Sequence, residues 1–173
     1  MSRFLRRGFT LAEMLIVIAV IGVLSSMMMV ARSESVKTSK AGNIIATLQN
    51  FASAAMTFYT DSMDHFTKTP NDPSNLKTYV MKYMYNGGNS VQDKDSYTVL
   101  NNWDNNISTW WAGYNVGSDS DSTGLKERLK NRADSANLKG SNAIGTAPTK
   151  SDSTYPKYNG DPAVWLMIRT NGK

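Results

Sequence analysis

The chain has no cysteine and a single histidine, His65, among its 173 residues. The first absence excludes a disulfide framework, a thiolate metal site and a cysteine nucleophile. The second excludes a histidine-rich metal site and leaves histidine acid–base chemistry to one residue. Five prolines and 12 glycines are too few for a collagenous or low-complexity chain. The length fits one ordinary domain, or a small domain joined to an extended element.

Charge is sparse and unevenly placed. The formal net charge is +5, from 19 basic and 14 acidic side chains, but three of the basic ones are Arg3, Arg6 and Arg7. Without residues 1–8 the balance is 16 basic against 14 acidic side chains, a net charge of +2. A strongly basic surface for nucleic acid is therefore not indicated.

One long apolar segment lies near the N-terminus. The 24 residues between Arg7 and Arg32 contain a single ionisable side chain, Glu13. As a helix they rise about 36 Å, enough to cross a bilayer core of about 30 Å. The three basic residues before the segment, against one directly after it, favour a cytoplasmic N-terminus.

A secretory signal peptide or a plain membrane anchor would explain the apolar segment, but neither explains Glu13. The stretch after Leu24, SSMMMVARS, lacks a convincing small-x-small cleavage site. A carboxylate in hydrocarbon costs on the order of 2.5–3.5 kcal/mol on insertion scales. Glu13 therefore indicates a partner for its charge.

The six residues Gly8–Glu13 (GFTLAE) follow a short basic leader and precede about 20 apolar residues. This arrangement resembles the class III signal of type IV pilins and type II secretion pseudopilins, and the resemblance covers the first 60 residues or so. It implies that a prepilin peptidase removes residues 1–8 by cutting between Gly8 and Phe9. It also implies that the new amino group of Phe9 is methylated.

Phe9 and Glu13 are the predicted subunit-docking residues. Cleavage would leave a cationic amine on Phe9 at the edge of the apolar helix, and Glu13 is the only anion available there. The carboxylate can meet this amine within one chain or on a neighbouring subunit. A buried ion pair of this kind sets register, which a helical polymer needs. The family often has a proline where this chain has Val30, so any local melting is expected nearer Gly22.

The apolar pattern continues beyond the membrane segment. Ile44, Leu48, Phe51, Ala55 and Phe58 are spaced 4, 3, 4 and 3 residues apart, which is typical of an amphipathic helix. We predict one helix from Phe9 to Ser62, with a membrane and polymerisation half (9–31) and an amphipathic half (32–62). The alternative is two helices joined by a kink at Gly42.

Residues 63–173 are predicted to form a globular α+β head. Asp72 and Pro73 are typical of a helix start. The pattern predicts two short helices, Ser74–Tyr85 and Leu125–Leu138. It also predicts three strands, Tyr97–Leu100, Thr109–Val116 and Ala163–Thr170. A small antiparallel sheet would then pack on the amphipathic half of the long helix, as in the pilin fold.

Three acidic or hydroxyl side chains, Asp119, Asp121 and Thr123, match the opening of an EF-hand loop. The twelfth position, which should be a bidentate glutamate, is Lys130. The interpretation we favour is a solvated loop before a helix. No cofactor or metal is predicted, and calcium at these three residues is the one alternative.

Four tryptophans, Trp103, Trp110, Trp111 and Trp165, are interpreted as core and interface anchors, with a sugar-stacking platform as the alternative. Neighbouring residues of a strand face opposite sides. We therefore expect one of Trp110 and Trp111 in the core and the other nearer the surface.

The chain has no motif of an enzyme: no nucleophile elbow, no phosphate-binding glycine loop and no HExxH. Asp152 and Asp161 could pair as acid and base, but surface turns explain them better. We therefore predict that the protein is not an enzyme.

The predicted function is that of a pilin or pseudopilin, a structural subunit that polymerises with itself or with related pilins. The resemblance implies further partners, namely the prepilin peptidase and an inner-membrane assembly platform with its ATPase. The subunit would lie in the cytoplasmic membrane before assembly, and afterwards in an extracellular pilus or periplasmic pseudopilus serving adhesion, motility, DNA uptake or secretion. The alternatives are a membrane-anchored or secreted binding module, for example for carbohydrate, and a secreted enzyme.

Overall fold

The computed structural model describes residues 9–61, 73–104, 107–119, 122–150 and 154–171. The chain divides into two compact units between Lys37 and Thr38. Within the described residues there are three α-helices and four β-strands: α1 (Leu11–Asp61), α2 (Pro73–Lys82), β1 (Tyr97–Asp104), β2 (Ile107–Asn115), α3 (Ser122–Asn131), β3 (Leu138–Ser141) and β4 (Ala163–Asn171). The predicted α+β class is confirmed.

In the first unit, α1 is apolar around its whole circumference. Every large apolar side chain described from Leu11 to Met29 is between 48% and 79% exposed. The apolar run gives way to polar residues at Arg32, and Glu34 and Lys37 then form an ion pair of 3.6 Å on one side of the helix. A helix that is apolar all round needs a membrane or other protein around it.

In the second unit, α1 buries the predicted stripe. Ile44, Leu48 and Phe51 are at most 3% exposed, and the stripe continues through Ala55 to Phe58. The ring of Phe51 stacks on Tyr97 of β1, with 5.5 Å between ring centroids. The amphipathic half of the predicted helix is therefore confirmed.

The helix passes through Gly42 without a break, as predicted, so the alternative of a kink there is wrong. Ser62, the predicted last residue, lies outside the described residues. A Cβ at Gly42 would lie 3.1 Å from a guanidinium nitrogen of Arg132. The absence of a side chain at Gly42 lets the guanidinium group of Arg132 approach the helix closely. This close approach, rather than a kink, explains why a glycine occupies position 42.

The four strands form one antiparallel sheet in the order β1-β2-β4-β3. The three predicted strands are confirmed as β1, β2 and β4, with later ends for β1 and β4 and bounds of 107–115 for β2, whereas β3 was not predicted. β4, the last strand along the chain, lies between β2 and β3. Because a central strand carries hydrogen bonds on both edges, the sheet is complete only when residues 163–171 are in place.

The two adjacent tryptophans of β2 face opposite sides of the sheet, but both are buried. Trp110 is 2% exposed and lies in the main core with α1, where the ring of Tyr59 meets it edge-on at 6.1 Å. Trp111 is 0% exposed and belongs to a second core on the other face. The expectation that one of them lies near the surface is therefore wrong.

The second core exists because the segment between β3 and β4 packs over the outer face of the sheet. Its Tyr155 meets Trp111 edge-on, with ring centroids 4.7 Å apart. Trp165 Nε1 donates a hydrogen bond of 2.7 Å to Ser141 Oγ. Trp165 also lies across Gly113, where a Cβ would come within 2.5 Å of the indole ring. The Ser141 hydroxyl lies 2.9 Å and 2.8 Å from the carbonyl oxygens of Ala143 and Thr146. Packing and hydrogen bonds thus hold the described part of this segment without a disulfide.

Two predicted helices have different ends in the structure. α2 begins at Pro73 as predicted but ends at Lys82, and a turn with positive φ at Asn86 and Gly87 follows it. Asp72, its predicted cap, lies outside the described residues. α3 ends at Asn131 rather than Leu138, because Asn137 is left-handed (φ 50°) and Leu138 pairs with Leu166 of β4.

Two tyrosines in ring contact are expected to make the head sensitive to alkaline pH. Tyr97 and Tyr114 face each other across β1 and β2, with ring centroids 4.7 Å apart. The pKa of each phenol is raised to about 12, chiefly by burial, and the nearby carboxylates of Asp119 (on Tyr114) and Asp93 (on both) contribute to this rise. An unfolded tyrosine titrates near pH 10. The stabilisation is therefore fully present below about pH 10 and is lost as the pH rises through 12.

We expect a lower urea midpoint for the head at about pH 11 than at about pH 9, since the unfolded chain then releases these protons first. Circular dichroism of the full chain in detergent measures the midpoint. The double variant Tyr97→Phe, Tyr114→Phe has no phenol to ionise at these positions and should lose less stability between the two pH values. An equal loss in the double variant would assign the effect to other groups.

Candidate functional site

The residues that begin α1 form a reciprocal cap. The backbone carbonyl of Thr10 accepts the first helical hydrogen bond, from the amide of Met14. The backbone N–H and the hydroxyl of Thr10 lie 2.8 Å and 2.9 Å from Glu13 Oε2. The Glu13 N–H in turn donates to Thr10 Oγ1 at 3.2 Å. This is a capping box, in which Thr10 is the N-cap and Glu13 is the third residue of the helix.

The cap fixes the carboxylate of Glu13 at the N-terminal end of the apolar helix. Negative charge is favourable there, because the first amide groups of a helix carry a partial positive charge. Both Thr10 bonds go to the same oxygen, Oε2. The described hydrogen bonds of the Glu13 carboxylate are thus both with Thr10, and they hold the carboxylate in one position.

Phe9, the other predicted docking residue, directly precedes the cap and is 76% exposed. Gly8, the predicted cleavage residue, lies outside the described residues. In the uncut chain the nitrogen of Phe9 is an uncharged peptide group. An ionic contact between Phe9 and Glu13 can therefore arise only after cleavage.

Thr10 caps α1, a role that the sequence analysis did not assign to it. Its signal was present, because threonine followed three residues later by glutamate and then by an apolar run is the signature of a capping box. Glu13 thus has a local role as a helix cap beside its predicted role as an intersubunit partner. The two roles are compatible, because Oε1 accepts neither of the Thr10 bonds.

The two described residues of the alternative calcium site, Asp119 and Thr123, differ in their burial. The side chain of Asp119 is 8% exposed, and its Oδ2 lies 2.5 Å from the ammonium group of Lys40 on α1. Thr123 is exposed in the first turn of α3, and Asp121 lies outside the described residues. Within the described ranges no group of three acidic, histidine or cysteine side chains could hold a metal ion. Calcium here stays a prediction.

Three of the four tryptophans are too deeply buried to form the alternative sugar-stacking platform. Trp110, Trp111 and Trp165 are each at most 2% exposed. They anchor the two cores, as the favoured interpretation predicts. Trp103 is in β1, and its side chain lies outside the described residues.

The N-terminal segment matches a known signal. Residues 3–29 match the family model of the prokaryotic N-terminal methylation motif. No curated protein and no solved structure gives a significant match to the chain. The matched range begins at Arg3, contains Gly8, Phe9 and Glu13, and ends at Met29. The chain therefore carries a class III signal of the type IV pilin kind, and the resemblance seen in its sequence is confirmed.

The helix that follows the signal is suited to a membrane. Among the described helices, α1 alone is long and apolar enough to cross a bilayer, and its apolar part is not buried within the protein. The signal and the helix together indicate a membrane-anchored precursor of a pilin-like structural protein.

Loss of the cap is expected to loosen the first turn of α1. Thr10→Val keeps the shape of the side chain and removes its hydroxyl, which costs about 0.5–2 kcal/mol at an N-cap. Amide hydrogen exchange at residues 11–14, measured on the full chain in nanodiscs, should therefore become several-fold faster. Thr10→Ser keeps the hydroxyl and should exchange at the wild-type rate. Equal exchange in all three proteins would show that the cap is not formed in lipid.

Proposed function

We propose that this protein is a structural subunit of a helical filament, a pilin or pseudopilin. A prepilin peptidase cuts the membrane-anchored precursor after Gly8, the amine of Phe9 is methylated, and the subunits polymerise. An assembly ATPase and its inner-membrane platform drive this step. The filament is a surface pilus or a periplasmic pseudopilus that serves adhesion, motility, DNA uptake or secretion. The match over residues 3–29, with Gly8–Glu13 inside it, is the observation that carries the proposal.

The exposed apolar surface of α1 supports a subunit that changes its surroundings. Its large apolar side chains from Leu11 to Met29 are about half exposed or more. Lipid covers such a surface before assembly, and the same surface of neighbouring subunits covers it afterwards. A plain anchor would need only the first of these environments.

The outward side of α1 in the second unit supports helix packing between subunits. Seven exposed residues follow one another at spacings of 4, 3, 4, 3, 4 and 3, and all are small or uncharged: Ser39, Asn43, Ala46, Asn50, Ser53, Thr57 and Thr60. We call these residues the outer seam. An average spacing of 3.5 residues forms a continuous line along a helix that packs on another helix. Small side chains let two such helices approach closely.

The N-terminus of the exported protein tests the proposal. We expect filaments sheared from the cell surface, or pseudopili released from the periplasm, to contain a chain that begins at N-methylated Phe9. Mass spectrometry of the N-terminal peptide identifies it. A chain that begins near Ser33 would indicate conventional signal cleavage, and a chain that retains Met1 would indicate a plain anchor. Either result would overturn the proposal.

A charge in the outer seam is expected to block assembly. Ser53→Arg would place an unpaired cation between packed helices, and burying such a charge is costly. The filament yield should therefore fall about tenfold or more, while cleavage and the circular dichroism of the head stay unchanged. Thr123→Arg, at an exposed position of α3, is the matched control. Wild-type yield from Ser53→Arg would show that the seam faces no neighbour.

A further inference from the structure

Three consecutive methionines, Met27, Met28 and Met29, lie at the far end of the apolar part of α1. They are 65%, 76% and 79% exposed. Successive residues of a helix are about 100° apart, so the three side chains span an arc of about 200°. A neighbouring helix that packs on any side within this arc therefore faces at least one thioether.

These thioethers are the most accessible oxidisable sulfur atoms in the described part of the protein. The chain has no cysteine. Met14 is 51% exposed and Met56 is 40% exposed. Three further methionines are partly buried against the two cores: Met81, Met84 and Met167.

The methionine triplet lies at a depth that water-soluble oxidants reach. Met27 is 18 residues beyond Phe9, or about 27 Å along a helix, and a bilayer core is about 30 Å thick. Arg32 follows three residues after Met29. With a cytoplasmic N-terminus, the triplet therefore lies at the outer boundary of the membrane. Met14 is about 8 Å from Phe9 and lies within the hydrocarbon.

We propose that Met27–Met29 are an oxidation site that controls polymerisation, an inference that rests on the proposed function. Hydrogen peroxide transfers one oxygen atom to a thioether sulfur. The O–O bond breaks, an S–O bond forms, and water leaves. The sulfur loses two electrons, the peroxide is reduced, and the product is methionine sulfoxide, which reductases convert back to methionine.

Oxidation affects the two environments of the helix differently. At the membrane boundary the sulfoxide oxygen can accept hydrogen bonds from water, so the subunit stays anchored. Between packed apolar helices it finds few donors, because the side chains from Val23 to Met29 are aliphatic or thioether groups apart from Ser25 and Ser26. Ser26 already donates its hydroxyl to the carbonyl of Val23 at 2.7 Å. A buried polar group without a partner is unfavourable, so oxidised subunits should not enter the filament.

The test exposes cells that carry the full chain to a low concentration of hydrogen peroxide before filament growth begins. We expect peptide mass spectrometry to find about 16 Da of added mass on Met27–Met29 in the membrane-retained subunit. The yield of sheared filament should fall about tenfold or more. Methionine sulfoxide reductase activity induced afterwards should restore the yield.

The matched variants are a triple change of Met27, Met28 and Met29 to leucine, and Met14→Leu as the control. The triple variant should assemble equally well with and without peroxide, and Met14→Leu should stay as sensitive as the wild type. The proposal is wrong if the triple variant is as sensitive as the wild type. It is also wrong if the triplet is oxidised without a change in yield, or if the reductase restores nothing. If the untreated wild type forms no filament, the proposed function itself fails.

Discussion

A chain carrying Gly8→Leu is expected to stay uncut and to form no filament. A peptidase subsite that admits only a residue without a Cβ explains the glycine before the cut, and leucine would not fit it. The membrane fraction should then contain a precursor that still carries residues 1–8. Mass spectrometry of its N-terminal peptide, together with the amount of sheared filament, measures both effects.

Two physical reasons link the uncut leader to the loss of assembly. The leader holds Arg3, Arg6 and Arg7, and these cations would have to enter or border the packed apolar helices. In addition, the nitrogen of Phe9 remains a peptide group and offers Glu13 no positive charge. We therefore expect filament yield below about 1% of wild type, since each missing pair costs about 3–5 kcal/mol.

Phe4→Leu is the matched control for this prediction, because it changes the leader outside Gly8–Glu13 and keeps its charges. It should be cut and assembled normally. If Gly8→Leu is also processed and assembled normally, the assignment of the cleavage site is wrong. If both variants remain uncut, the peptidase recognises the leader more broadly than the motif implies.

The long helix was predictable because its signals are local. The 4, 3, 4, 3 spacing from Ile44 to Phe58 depends only on the geometry of one helix, and the observed burial follows it closely. The apolar run before Arg32 is similarly a property of one continuous segment. No contact with a distant part of the chain was needed for either prediction.

The errors in the head arose where distant residues decide the structure. Leu138 continues a helical pattern from Leu125, but in the protein its backbone pairs with Leu166 of β4, 28 positions further along the chain. The four residues of β3 are too few for the alternation of apolar and polar residues that would identify a strand from the sequence. The left-handed Asn137 that separates it from the preceding turn is also weakly marked, since asparagine adopts this conformation only some of the time.

The second core was unpredictable for a similar reason. The segment between β3 and β4 is rich in serine, threonine and glycine, a composition typical of a surface loop. In the protein its Ala147 and Tyr155 help to cover Trp111. Alternation along β2 correctly placed the two tryptophans on opposite faces, but it carries no information about what covers each face.

The structure changes how Glu13 can be tested, because it gives this residue a second role. The carboxylate caps α1 through Thr10, with contacts of 2.8 Å and 2.9 Å. Replacement by alanine would remove the cap and the charge together. Glu13→Gln removes only the charge, since glutamine also completes a capping box. Thr10→Val does the opposite: it removes the hydroxyl and keeps the charge.

Our hypothesis is that the Glu13 carboxylate compensates the cationic amine of Phe9 on an adjacent subunit as the two apolar helices pack together. Loss of one partner of a buried pair typically costs about 3–5 kcal/mol, a factor of roughly 10²–10³ or more per contact. Glu13→Gln should insert into the membrane at least as well as wild type, because a neutral amide is easier to bury than a carboxylate. It should also be cut after Gly8, since the bond itself is unchanged.

Assembly by Glu13→Gln should therefore fall about a hundredfold or more, which would strand mature subunits in the membrane. Thr10→Val should lose far less, because a cap contributes only about 0.5–2 kcal/mol. Sheared filament and membrane-retained mature subunit, quantified from the same cells, separate assembly from export and cleavage. Wild-type filament yield from Glu13→Gln would exclude charge pairing. Equal losses in the two variants would also contradict charge pairing as the main effect, because Thr10→Val keeps the Glu13 charge.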